Sequence, residues 1–372
     1  MFRRSAIHAE MLAALDAPYS PDLAETVKTH MDSMPEFHQS FWASTWTLTQ
    51  RESMVNWRNT PTLIGRAVMM VIMGIIYAVT FIQFDPTNIQ VVMGIVFAAV
   101  QFLGIAQMTL IPAFVEAREV FYRQRGANFF RTSSYVLANC VSQIPIALAE
   151  TVVFGTMVYF ICGFNMSVGG YLLFEVVLLL MNITFGAWYF FVAAITPNIH
   201  LSNPIMNFSL LFFILFAGFN VLRSQIPDYF IWIYWLTPIS WGVRSIAVTE
   251  YRSSKYDVCE YNGVDYCAQF DGKTMGEYYL GLFDVQSDKE WIFLGVIYLV
   301  ASYFLFIFLA SVVLEYKRYE SPEAVSVSKK EAEDEGETAY ALAQTPKSSH
   351  SAMEARKEVS LAIHPEEQAF VP

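Results

Sequence analysis

The chain has 372 residues, 55% of them hydrophobic, 31 of them Phe, and a formal net charge of −11. A soluble domain of this length averages about 45–50% apolar residues, so the mean hydropathy of +0.38 argues against a soluble globular protein. The charge has two addresses: residues 223–290 carry −4 and residues 315–372 carry −5. The acidity therefore belongs to two water-exposed segments and is no evidence for a basic partner such as nucleic acid.

Residues 1–35 are polar and read as a linker, and the basic start MFRRSAIHAEMLAALDAP has too short and interrupted an apolar stretch for a cleavable signal. Residues 37–58 predict an amphipathic helix, because Phe37, Phe41, Leu48 and Val55 fall within about 40° of one another at helical spacing. Trp42, Trp46 and Trp57 suit headgroup level, although a soluble helix packed on another domain has the same pattern.

Six apolar blocks predict membrane spans at about 63–84, 89–111, 136–162, 171–195, 205–222 and 291–314. About 20 apolar residues cross a bilayer core of about 30 Å. Pro112 is expected to end the second span, and Pro197 and Pro204 to punctuate the loop before the fifth. Pro227 and Pro238 divide the aromatic run 226–250, which reads as two short re-entrant pieces at the outer interface. Arg51, Arg58, Arg66, Arg118, Arg123, Arg125, Arg131, Lys317 and Arg318 all flank spans on one side. Six crossings place every one of these clusters, and both termini, in the cytoplasm. The tail 317–372 is charged and poor in large apolar residues, which predicts disorder.

Motifs for covalent chemistry are missing from the sequence. There is no G-x-x-x-x-G-K-[ST] loop to cradle nucleotide phosphates, no H-E-x-x-H and no G-x-S-x-G. Neither a catalytic site nor a metal site is expected, since Cys259 and Cys267 have no His at ligand spacing. These two cysteines flank a polar loop with an Asn262-Gly263 turn, and in an oxidising compartment an intrachain disulfide is expected; intermolecular pairing and free thiols are the alternatives.

Three polar patterns are candidates for function. The segment 116–131 (EAREVFYRQRGANFFR) packs Glu116, Arg118, Glu119, Arg123 and Arg125 among aromatic rings. It reads either as a helix docking on another protein or as a basic loop gripping lipid phosphates. Asn139, Gln143 and Glu150 share one face of the third span, which marks either a transport or coupling path or a helix–helix hydrogen-bond seam. Phe97, Gln101, Gly104 and Met108 share a face of the second, where a greasy cavity and plain core packing remain equal readings.

Taken in order, NWRNTPTL (56–63), VEAREVFYRQRGANFFRTSSY (115–135) and LFAGFNVLRSQIPDYFIWIYWLTPISWGV (215–243) resemble the transmembrane domain of ABC transporters of the G subfamily, pleiotropic-drug-resistance type. The likeness runs over about 37–316. It implies an all-α, six-helix membrane domain with an amphipathic connecting helix and re-entrant external helices. Two such domains would form a path for amphipathic or lipid-like substrates across the plasma membrane, driven by nucleotide-binding domains, in cis or in trans, that bind ATP and Mg. By position, residues 116–125 would form the coupling helix. Phe97, Gln101, Leu211 and Ile214 would face the central cavity, and Phe219 would lie near the outer constriction. Asn220 departs from the family pattern, which has an apolar residue there. The resemblance also implies a motor domain ahead of residue 1, so the sequence reads as the membrane part of a longer transporter, its C-terminal half, or as a solitary domain. A solitary domain acting as a scaffold or regulatory partner is the alternative function.

Overall fold

The computed structural model describes Phe37 and residues 39–317, and these are mostly helical. In chain order the helices are α1 (Phe41–Arg58), α2 (Thr60–Thr80), α3 (Ile89–Ala106), α4 (Ile111–Gly126), α5 (Thr132–Cys162), α6 (Val168–Ile195) and α7 (Ile199–Leu215). After them come α8 (Ile231–Leu236), α9 (Pro238–Tyr251), the strands β1 (Glu260–Tyr261) and β2 (Val264–Asp265), then α10 (Tyr266–Gln269), α11 (Met275–Leu282) and α12 (Glu290–Tyr316). The expectations for the linker 1–35 and for the tail beyond 317 lie outside the described residues.

Among the described residues, five stretches are long and apolar enough to cross a membrane: Thr60–Thr80, Ile89–Gly126, Thr132–Cys162, Val168–Ile195 and Glu290–Tyr316. α7 is apolar but has 17 residues, about 26 Å of helix. α6 is the hub of the bundle, touching α3, α4, α5, α7, α9 and α12. α2 packs on α5 and leaves Ile64, Val68, Ile72, Ile75 and Val79 exposed, an apolar face of the kind a bilayer covers.

α1 lies along α5. Its packed face holds Ser44, Thr45 and Leu48, whereas Val55 is exposed. The apolar stripe expected from the sequence is therefore rotated toward small hydroxyl residues. Thr45 and Thr49 bond back to the carbonyls of Phe41 and Thr45, which lets hydroxyls sit against a neighbouring helix without an orphaned donor. Trp42, Trp46 and Trp57 point outward.

Two span boundaries differ from expectation. Pro112 does not end the second apolar stretch. A 3-10 turn, Gln107–Leu110, follows α3, and Pro112 falls in the first turn of α4, where a missing N–H costs nothing. The chain continues as one bent rod to Gly126. The fifth block starts and stops earlier than 205–222. Asn198 caps α7 by accepting from Leu201 N at 3.1 Å, and Pro204 lies inside the helix. Its end is set by Gly218, whose φ is +86°; a Cβ there would meet the Tyr234 ring at 2.8 Å.

The run 226–250 does divide in two, with extended Thr237 before Pro238. The polar segment after it forms a β1–β2 hairpin turned by Asn262 and Gly263, both at positive φ. Cys259 and Cys267 flank the hairpin and are joined by a disulfide, with Cα atoms 5.0 Å apart.

The C-terminal end of α9, a helix too short to span, carries Glu250, which is 4% exposed. Its carboxylate accepts from Asn165 N at 2.9 and 3.2 Å, tying α9 to the α5–α6 turn. Burial pushes this carboxyl up to about 7, against the lowering effects of the Asn165 bond and Lys255. The folded state thus holds the proton more tightly than the unfolded chain. The group's contribution is largest below its ordinary value of 4.5 and falls as pH rises through about 7. Melting curves of wild type and Glu250→Gln between about pH 5 and 8 are expected to show wild type losing ground to the variant as pH rises; a constant difference would refute this.

Candidate translocation and coupling elements

Four elements contribute to a polar cluster inside the bundle. Arg66 on α2 faces Glu150 on α5, with Nε–Oε1 at 2.7 Å and Nη2–Oε2 at 2.8 Å. Gln107, in the 3-10 turn, accepts from Arg66 Nη2 at 3.2 Å and donates to Glu150 Oε2 at 3.2 Å. Gln107 also donates to Asn182 Oδ1 on α6. Asn182 Nδ2 in turn reaches Thr151 Oγ1 at 3.2 Å and the Ala147 carbonyl at 3.3 Å. All four side chains are buried. Charges at such depth persist when paired and hydrogen-bonded, and here the pair is joined by one hydrogen bond and a second close N–O contact and is buttressed by two amides.

The sequence pattern placed Asn139, Gln143 and Glu150 on one face of α5. Glu150 enters the cluster, whereas Asn139 and Gln143 line a cavity beside it. Arg66, counted from sequence among the cytoplasmic flanking charges, instead sits on the second turn of α2 and turns into the bundle. Its partner is 84 positions away, so no local pattern pairs them. Asn182 and Gln107 were likewise missed; an amide within an apolar run was the available signal.

Toward the opposite end of α3, Phe97 stacks on Phe219 with ring centroids 4.8 Å apart, and Phe219 stacks on Phe283 at 6.2 Å. Gly218 makes the turn that delivers Phe219 to this position. Asn220 donates to the Ile214 carbonyl at 3.2 Å and so satisfies the C-terminal end of α7, which gives the polar residue at this position a local role. Gln101 is half-buried on α3. Leu211, on α7, is 65% exposed, and Ile214 is half-buried one turn on. Gly104, on the same predicted face as Phe97, packs instead against the Phe185 ring of α6.

α4 carries the charged segment. Glu116, Glu119 and Arg123 are exposed. Arg125 pairs with Glu315 of α12 at 3.1 Å and lies over the Phe37 ring. Arg51 of α1 donates to Gln124 of α4 at 2.8 Å. Arg118 corrects the expectation of a surface residue offered to a partner, because it is only 5% exposed. Its Nη1 donates to the carbonyls of Ala193 (2.6 Å) and Thr196, and Nη2 to that of Pro197 (2.7 Å). The guanidinium thus caps the C-terminal end of α6, where the backbone presents unpaired carbonyls and partial negative charge.

Residues 43–251 match the family described as ABC-2 type transporter, from α1 through α9. The chain belongs to this family. It is 29% identical over 255 residues to ABC transporter G family member 1 of Arabidopsis thaliana, covering 68% of this chain and 34% of that protein. It is 32% identical over 196 residues to ABC transporter G family member 2 of Dictyostelium discoideum, covering 51% of this chain and 14% of that protein. It is also 25% identical over 323 residues to pleiotropic drug resistance protein 1 of Petunia axillaris, covering 84% of this chain and 22% of that protein. The ABC-2 chain therefore spans between 14% and 34% of the length of these relatives. Its apolar helices make it an integral membrane protein, and the Arg66–Glu150 pair, the Phe97–Phe219 stack and Arg118 all lie inside or beside helices of the ABC-2 match.

Proposed function

We propose that this ABC-2 domain forms half of the path through which an ATP-driven exporter moves amphipathic or lipid-like molecules. The observation that carries the proposal is the continuity of one rod. The exposed charges Glu116, Glu119 and Arg123 on α4 lead through the 3-10 turn into α3, and α3 bears Phe97 stacked on Phe219. A push on α4 thus has a mechanical route to the aromatic pair at the far end. ATP and Mg would be bound and hydrolysed in nucleotide-binding domains docked on α4, in cis or in trans, with no catalytic group supplied by the ABC-2 helices. With α7 counted as a sixth crossing, both ends of the domain would lie on one side, and the flanking arginines favour the cytoplasm. The exposed apolar face of α7, with Leu201, Phe208, Leu211 and Leu215, would lie against a second domain of the same kind and the substrate between them. The plasma membrane fits this reading.

The test uses the transporter that contains this domain, reconstituted in proteoliposomes. Glu116→Gln with Arg123→Ala is expected to leave basal ATP hydrolysis in place and to lower substrate flux per ATP by about tenfold. Flux that stays coupled in the double variant would remove α4 as the coupling element.

A further inference from the structure

A cavity of about 370 Å³ opens between α1, α2, α4 and α5. Its polar lining includes Glu52, Asn56, Arg66, Glu116, Asn139 and Gln143, and none of Phe97, Gln101, Leu211, Ile214 or Phe219 reaches it. Leu63 and Ile146 are shared with a second cavity of about 270 Å³, a mostly apolar groove between α2 and α5 that the Arg66-paired Glu150 also lines. Trp57, Val71 and Val153 of that groove are among the exposed apolar residues. The groove thus opens on an exposed apolar flank of the bundle, which a bilayer would cover, and the polar cavity lies beside it. Together the volumes fall in the range of ligand sites, about 300–1,000 Å³.

The chemistry of the two spaces runs from acidic and basic to apolar. Glu52 and Glu116 line the polar cavity, and Glu52 accepts from Arg51 through one oxygen. Arg66 lines the same cavity, with Nη2 engaged by Gln107 and Glu150. Met70, Val71 and Val153 follow in the groove. A phospholipid with a primary ammonium headgroup has the same order along its own length: ammonium, phosphate, acyl chain. Its ammonium offers three donors to a cavity rich in acceptors. A molecule already resident in the leaflet suits both the polar cavity and the apolar groove beside it.

We propose that this cavity and groove bind an aminophospholipid of the cytoplasmic leaflet, as a site separate from the Phe97–Phe219 path. The assignment of leaflet rests on the orientation proposed above, whereas the chemistry of the site does not. The bound lipid would wedge between α1 and α2 and brace the connecting helix against the bundle.

The test is native mass spectrometry of the full chain in detergent, titrated with phosphatidylethanolamine or with phosphatidylcholine, whose quaternary ammonium carries no N–H. Wild type is expected to hold phosphatidylethanolamine about tenfold more tightly, the effect of losing one or two charge-assisted hydrogen bonds. Glu52→Gln with Glu116→Gln is expected to bring the two lipids level, and Val153→Trp to weaken both by filling the groove. Equal binding of the two lipids by wild type, or a preference that survives in the double variant, would overturn the proposal. The wild-type comparison needs no folded variant, and it involves neither ATP nor flux, so its failure is distinct from failure of the exporter reading.

Discussion

Glu150→Ala is expected to destabilise the domain by roughly 3–5 kcal/mol, because it leaves the Arg66 guanidinium buried without its counter-charge. Both groups are only about 6% exposed, so water cannot take the place of the missing carboxylate. The double replacement Arg66→Met, Glu150→Leu removes the charges together and is expected to cost much less than either single change. Glu150→Gln should fall between, since an amide still meets Gln107 and Asn182 but cannot neutralise Arg66. Melting of the purified domain in detergent reads the ranking. If the double variant proves as unstable as Glu150→Ala, the pair is not acting as a compensated unit. Asn182→Leu extends the series, because it withdraws the acceptor that holds Gln107 at the 3-10 turn.

Arg118→Ala is expected to cost about 3 kcal/mol, the scale for charge-assisted bonds lost from buried acceptors. Three carbonyls, of Ala193, Thr196 and Pro197, lose their donor together. Arg118→Lys should recover only part of the loss, since an ammonium lacks the planar fork that spans the end of α6. The informative contrast is with Glu119→Gln, an exposed neighbour on the same helix, for which stability should change by less than about 0.5 kcal/mol. A normal melting temperature for Arg118→Ala would show that the cap is dispensable to the fold and return this residue to the docking surface.

Hydropathy and turn chemistry are local properties, and they made much of this fold legible. The blocks that became α2, α3, α5, α6 and α12 stand out because an apolar run of sufficient length has few other fates. Asn262-Gly263 and Pro238 declared a turn and a break for local reasons, although the strands on either side of the turn went unread. α7 was misjudged at both ends because its limits are set by a capping amide at Asn198 and by the approach of Tyr234 to Gly218. Neither leaves a hydropathy signature. Arg66 and Arg118 were misread for a related reason: an arginine near a span end looks the same whether it faces lipid phosphate or turns inward. Only the positions of Glu150 and of the α6 carbonyls decide, and both lie far along the chain.

The cap made by Arg118 has a consequence for motion. α4 is fastened to the terminus of α6 by three bonds and to α3 by a continuous backbone, so it cannot slide alone. Force applied to α4 must swing α4 and the foot of α6 as one lever. The place where such a lever can bend is the short tightened turn at Gln107–Leu110, and the side chain of Gln107 ties that fulcrum to α2, α5 and α6 at once.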